Sequence, residues 1–273
     1  MTSTNQNNVI CLYRYGEPLQ YPGRSLSTEV KKQRLYHYTS YKSFTMIWLT
    51  QTLKFGKVID MNDMFEYNPS SQCHTLEEIK CIDEYLEEKK LYKQISLTMD
   101  YDTYTQGCMS PMMWGQYADK GNGVCIEFDY NKLKQHIKPT MLHDAVNYVD
   151  PLPEPPNITQ EVANDFDSFF KIKQKELFFT KHQSWSYENE YRIVSKGAEY
   201  LKINDAITAI YITKCKSTEC ECIEELLKDN DDVYFRCVYP DSMPGIGTYY
   251  NICDVEYRKN SYSHKKIINY HSQ

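Results

Sequence analysis

A chain of 273 residues, 41% of them hydrophobic and 25% charged, is long enough for one large domain or two small ones and has an ordinary globular balance. Its net charge of −6 argues against a broad non-specific grip on nucleic acid. No run approaches the roughly 20 apolar residues of a membrane span, so no membrane partner is expected.

The opening stretch MTSTNQNNVICLYRYGEP lacks the basic start and apolar core of a signal peptide, so a cytoplasmic setting is expected. The ten cysteines are accordingly read as thiols. Cys215, Cys220 and Cys222 offer three metal ligands without an obvious fourth, and no metal is expected. The 25 tyrosines suit half-exposed strands and wet clefts, because each buries a ring and keeps a polar tip.

Residues 1–30 read as an irregular arm. RLYHYT reads as a strand, and Ser40 stands as the cap of a helix with Tyr41, Phe44, Ile47 and Trp48 on one stripe. DMNDMFEYNPS is turn-rich, and TLEEIKCIDEYLEEKKLY is the clearest helix. KQISLTM is a strand. SPMMWGQY is a short helix with Ser110 as cap and Pro111 first. GVCIEFD, YNKLKQHI and HDAVNYV read as strand, helix and strand, before a proline-rich loop at 150–157. ITQEVANDFDSFFKIKQKELFFTK is a long helix. AITAIYIT, VYFRCV and NICDVEYR are strands around the helix ECIEELLKD, and 259–273 is a basic tail.

Helices and strands are mixed without regular alternation, so the expected class is α+β: a mixed, mainly antiparallel sheet with surrounding helices in one domain spanning 31–258. The nucleotide-binding signatures G-x-x-x-x-G-K-[ST] and G-x-G-x-x-G are missing, as are G-x-S-x-G and H-E-x-x-H.

SWSYENEYRIVSK, Ser184–Lys196, reads as one strand. With a period of two, Glu188, Glu190 and Arg192 share a face, while Trp185, Tyr187 and Tyr191 share the other and pack on the core. Two close carboxylates raise one pKa, and an arginine offsets the repulsion. On strand geometry alone a solvated ion-pair ladder is the plainer outcome.

LYHYTS, LKFGKVIDMNDMFE, MMWGQYADKGNGVCIEFD and KHQSWSYENEYRI occur in the order of a mostly bacterial family, domain of unknown function number 2971, which the chain resembles over residues 34–195. More distantly, YHYTS resembles the histidine strand that opens ADP-ribosyltransferases. SPMMW is similar to a motif of their DNA-modifying toxin branch. ENEYRIV resembles the closing glutamate strand, N-E-Y in poly-ADP-ribose polymerases and E-x-E in several toxins. The toxin-type S-T-S motif is not visible.

That second resemblance implies an ADP-ribosyltransferase-like fold and an enzyme that cleaves NAD, its substrate, at the nicotinamide–ribose bond. ADP-ribose would pass to a macromolecular acceptor, nucleic acid or protein, in a toxin or phage-defence setting. Glu190 would hold the ribose 2′-hydroxyl and stabilise an oxocarbenium-like cation, and Glu188 would orient or deprotonate the acceptor. His37 would bond the adenosine-side ribose. Tyr38, Trp114 or Tyr117 would stack on a ring, and Arg192 would hold a diphosphate or balance the acids. All this requires His37 and Glu190 to face one cleft. The alternatives are a non-catalytic nucleotide-, nucleic-acid- or protein-binding module with the same cleft, or a metal-dependent hydrolase or nuclease using Asp63, Glu66, Glu188 and Glu190.

Overall fold

The computed structural model describes residues 34–61, 76–101, 105–150, 152, 166–214, 217–243 and 247–254. The expected arm at 1–30, the Asn62–Asp63–Glu66 turn, most of the proline-rich loop and the basic tail lie outside these residues.

The described chain runs β1 (Arg34–Thr39), α1 (Tyr41–Thr50), β2 (Thr52–Lys54), β3 (Gly56–Lys57), α2 (Leu76–Lys90), β4 (Tyr92–Met99), α3 (Pro111–Tyr117), β5 (Val124–Asp129) and α4 (Tyr130–Lys134). It continues through β6 (Leu142–Ala145), β7 (Asn147–Val149), α5 (Phe166–Phe179), β8 (Thr180–His182), β9 (Glu190–Lys196) and β10 (Tyr200–Lys202). The last elements are β11 (Ile207–Ile212), α6 (Ser217–Leu227), β12 (Tyr234–Met243) and β13 (Gly247–Asp254).

Local chemistry accounts for the helix starts. Ser40 accepts the Ser43 N–H at 3.1 Å, and Ser110 accepts that of Met113 at 3.4 Å with Pro111 at the first helical position. Asp129 Oδ1 takes the N–H groups of Asn131 and Lys132 at 2.8 and 3.1 Å to start α4. Each cap satisfies donors that the first helical turn leaves orphaned.

A nine-stranded sheet has the order β13-β12-β11-β5-β1-β4-β9-β6, with β3 pairing off β4. Its pairings are antiparallel except β11 with β12. Strands from before and after the proline-rich loop enter it together, as β6 pairs with β9. The α+β class with a mixed, mostly antiparallel sheet is therefore present. Among the described residues no helix is long and apolar enough to cross a membrane.

Because successive strand residues point to opposite sides, the register divides the sheet into two faces. Leu35, Ile126, Leu97, Tyr191, Ile193 and Ile210 line one, under Phe44 and Ile47 of α1, Leu133 of α4 and Ile223 of α6. Tyr36, Tyr38, Cys125 and Tyr211 line the other, packed against Met113 and Trp114 of α3. Further along that second face, Val194 and Tyr92 meet Phe170 and Phe178 of α5.

Two strand expectations need correction. HDAVNYV is not one strand: β6 pairs with β9, whereas β7 pairs in parallel with β8 in a separate two-stranded sheet. The switch falls at buried Val146, whose N–H donates to the Glu190 carbonyl at 2.9 Å. SWSYENEYRIVSK is not one strand either. Gln183–Glu188 forms a 3-10 turn, Asn189 is left-handed (φ 42, ψ 55), and the strand begins only at Glu190. His182 Nδ1 accepts the Ser184 N–H at 3.2 Å and caps the turn. Asparagine tolerates the left-handed region better than most residues, and here its side chain donates to the Asp100 carbonyl at 2.9 Å.

Candidate functional site

Period two holds from Glu190 onward and places Arg192 on the same side. Arg192 grips the Glu190 carboxylate with two of its three prongs, Nε to Oε1 at 2.7 Å and Nη2 to Oε2 at 2.9 Å. Its remaining prong, Nη1, donates to the carbonyl of Phe178 at the end of α5, at 2.8 Å. Glu188 reaches the same cluster by a different route. Lys181, on β8, puts Nζ 2.6 Å from Glu188 Oε2 and 3.6 Å from Glu190 Oε2. Two acids and two bases thus meet out of water: Lys181, Glu188, Glu190 and Arg192 are all 5% exposed or less.

The two carboxyls differ. Burial pushes both upward, since a low dielectric disfavours the charged form. At Glu190 the charge and hydrogen bonds of Arg192, with help from Lys181 and the Ser96 hydroxyl, overcome burial and hold the carboxyl at about 2. At Glu188 burial wins: the attraction of Lys181 and hydrogen bonds from Lys181 and Tyr117 fall short, Glu190 adds repulsion, and the carboxyl stays above its ordinary value.

Above Glu188 lies a half-buried aromatic rim. Tyr117 donates its hydroxyl to Glu188 Oε1. Tyr187 donates to Gln116 Oε1 at 2.9 Å, and its ring lies 6.0 Å from that of Trp185. Lys181 Nζ sits 4.6 Å from the Trp185 ring centroid, a cation–π contact. Tyr117, Trp185 and Tyr187 are each partly open to solvent. The Tyr148 hydroxyl, from β7, accepts the Glu190 N–H at 3.0 Å and closes the floor.

The model of a family described as "Protein of unknown function (DUF2971)" matches residues 113–193. The matched stretch holds the rim aromatics and all four charged members of the cluster. No curated protein and no solved structure matches the chain.

Of the residues named from sequence, Tyr117, Glu188, Glu190 and Arg192 come together here. Tyr38 and Trp114 share the sheet face but not the rim. They are 6% and 4% exposed, meet edge to face at 5.2 Å, and Trp114 Nε1 donates to the Cys108 carbonyl at 2.7 Å. They are core, and a stacking role for either is corrected on that ground.

His37 stands apart. Tyr36 pairs with Thr98, and Thr98 with Glu190, so these three side chains share one face. His37, the next residue, points to the other face with its partner Ile126. Nδ1 lies 3.4 Å from the Ser96 carbonyl, and burial lowers the ring's pKa. The residues present therefore do not fit an NAD grip that uses His37 and Glu190 from one side. Asp63 and Glu66, the other half of the acidic metal set, lie outside the described residues.

Sequence reasoning missed Lys181 as the bridge and put Trp185 and Tyr187 on a core-packing strand face. The available signal was Asn189 between the two glutamates, a residue suited to breaking the strand there.

Proposed function

We propose that the rim formed by Tyr117, Trp185 and Tyr187 over Glu188 binds the planar ring of a nucleotide, and that the chain is a binding module rather than a transferase. One observation carries this reading: the Glu190 carboxylate is already shared between Arg192 and Lys181 and lies across the sheet from His37, whereas the rings around Glu188 remain partly open. Aromatic faces take flat rings, and a few fixed polar groups orient them.

The test is a thermal-shift series with adenine, guanine, cytosine and uracil nucleotides, NAD and ADP-ribose. A nucleotide should raise the melting temperature by mass action, with no nicotinamide released from NAD, and Trp185→Ala should abolish the shift. If no nucleotide stabilises the protein, or if Trp185→Ala leaves the shift intact, the reading is wrong.

A second reading keeps the transferase but drops the His37 contact, with Glu190 alone as the ribose anchor. It is favoured by the fixed anion that Glu190 supplies at a strand start, held at about 2, beside a second carboxyl and aromatic rings. An oxocarbenium-like cation would be stabilised by such an anion. NAD would be the substrate and a nucleic acid or protein the acceptor, in a cytoplasmic setting. Nicotinamide release that Glu190→Gln abolishes and Trp185→Ala weakens would support it over the binding module.

A further inference from the structure

A second surface, unconnected with the rim, lies at the other end of β9. Residue 196 is six steps from Glu190, about 20 Å along an extended strand. In the ribbon of β2 and β10, Leu53 and Leu201 are buried, so Lys54, Tyr200 and Lys202 alternate outward, Tyr200 directly opposite Lys54. Tyr200 is 58% exposed, unusual for so large a ring. Next to the ribbon, Lys57 of β3 stands opposite Lys93 of β4. Like charges facing each other across a strand pair destabilise it.

Glu199 enters this group and takes a hydrogen bond from Lys93. That bond and the charge of Lys93, followed by the charges of Lys54 and Lys57, pull the carboxyl below its ordinary range although it is exposed. An anion on the surface thus already feels three lysines at once. Lys196 is set apart by its own pairing with Glu88 at 2.5 Å.

We propose that Lys54, Lys57 and Lys202, with Tyr200, form a docking surface for single-stranded nucleic acid. The lysines would meet phosphates and Tyr200 would stack under a base. The chain's overall charge of −6 confines the attraction to this patch. The exposed ring among the lysines favours a single strand over a lipid surface or an acidic peptide. Phospholipid headgroups and acidic side chains are not themselves flat rings, whereas every nucleotide brings one, and base stacking on an aromatic side chain tolerates any sequence.

Fluorescence anisotropy of the full chain with a labelled oligothymidylate or oligouridylate tests this. Binding should weaken with salt at a log–log slope of roughly −2 for three phosphates neutralised on a single strand. Lys54→Glu with Lys57→Glu and Lys202→Glu should abolish it. Tyr200→Ala should weaken it by roughly 5- to 100-fold, and Glu199→Gln, which removes the competing anion, should tighten it. A gain in Glu199→Gln at an unchanged melting temperature separates the effect from misfolding. The proposal is overturned by no binding at low salt. It is equally overturned if polyglutamate or phosphatidylserine vesicles compete as well as the oligonucleotide while Tyr200→Ala changes nothing.

Discussion

Glu190→Gln removes one of two anions from a buried cluster that carries two cations. Arg192 would then face a neutral amide with those two prongs, and Lys181 would keep only Glu188. Breaking a buried pair from one side costs about 3–5 kcal/mol, because the remaining charge is left unpaired in a low dielectric. The lowered carboxyl, which reflects the same ion pairs, points the same way. Held at about 2 rather than 4.5, it corresponds to about 3 kcal/mol of native-state stability. For a chain of this size that lowers the melting temperature by roughly 6–20 °C. The pH dependence has a definite sign. A carboxyl lowered on folding stabilises fully above its unfolded value, so the gap between wild type and variant should be open at pH 7. It should close as pH falls from about 4.5 toward 2. Thermal or urea unfolding at several pH values measures this. A loss of less than a degree or two at pH 7 would refute the view that Glu190 is committed to the cluster.

Glu188→Gln should behave the opposite way with pH. Its carboxyl is raised on folding, so the stabilisation it brings is present below the unfolded value and lost as pH rises through the folded one. The variant should therefore compare better with wild type at pH 7 than at pH 4 in the same unfolding series. Asn189→Val should cost roughly 1–2 kcal/mol from the left-handed backbone alone, plus the lost bond to Asp100. Asn189→Gly keeps the backbone and should lose less, which chemical denaturation of the two variants resolves. His37→Ala should leave nucleotide affinity at the rim within about twofold, since the ring lies on the opposite sheet face and distant sites without shared partners usually act independently to within about 0.5 kcal/mol. A large loss by calorimetry would mean that the two sheet faces communicate.

The elements that sequence made legible are those with local signals. Ser40 before a stripe of Phe44 and Ile47, and Ser110 followed by Pro111, each specify a helix start without help from the rest of the chain. The Glu190–Arg192 pair was legible because two residues on one strand share a face whatever the partners are. What stayed hidden depends on distant pairing. Residues 35–38 are apolar or aromatic on both faces of a sheet covered on both sides, so nothing in RLYHYT says whether His37 or Tyr36 joins Glu190. Only the register through β4 decides it. Lys181 was hidden for a related reason. It reaches Glu188 because the 3-10 turn and the left-handed Asn189 fold the chain back, which a continuous strand would have prevented.

Four buried charges do not earn their place by stability, since well-packed apolar residues of the same volume do as well or better. What the cluster does is hold particular atoms in place: Lys181 under Trp185, and the Glu188 carboxyl beneath the Tyr117 hydroxyl. The two acids differ: Arg192 holds Glu190 low, whereas burial leaves Glu188 above its ordinary value. Glu188 accepts from Tyr117 and Lys181, and each carboxyl oxygen has a second lone pair, so a further hydrogen bond can be added only from the rim side, next to the open rings. A ligand that donates a hydrogen bond there would favour the charged form of Glu188, and one that brings an acceptor or a negative charge would disfavour it. Bases with an exocyclic amino group, adenine, guanine or cytosine, should therefore raise the melting temperature more than uracil at equal concentration. Glu188→Gln, whose amide can accept as well as donate, should flatten that ranking. Equal shifts for all four bases in the wild type would leave Glu188 without a part in recognition.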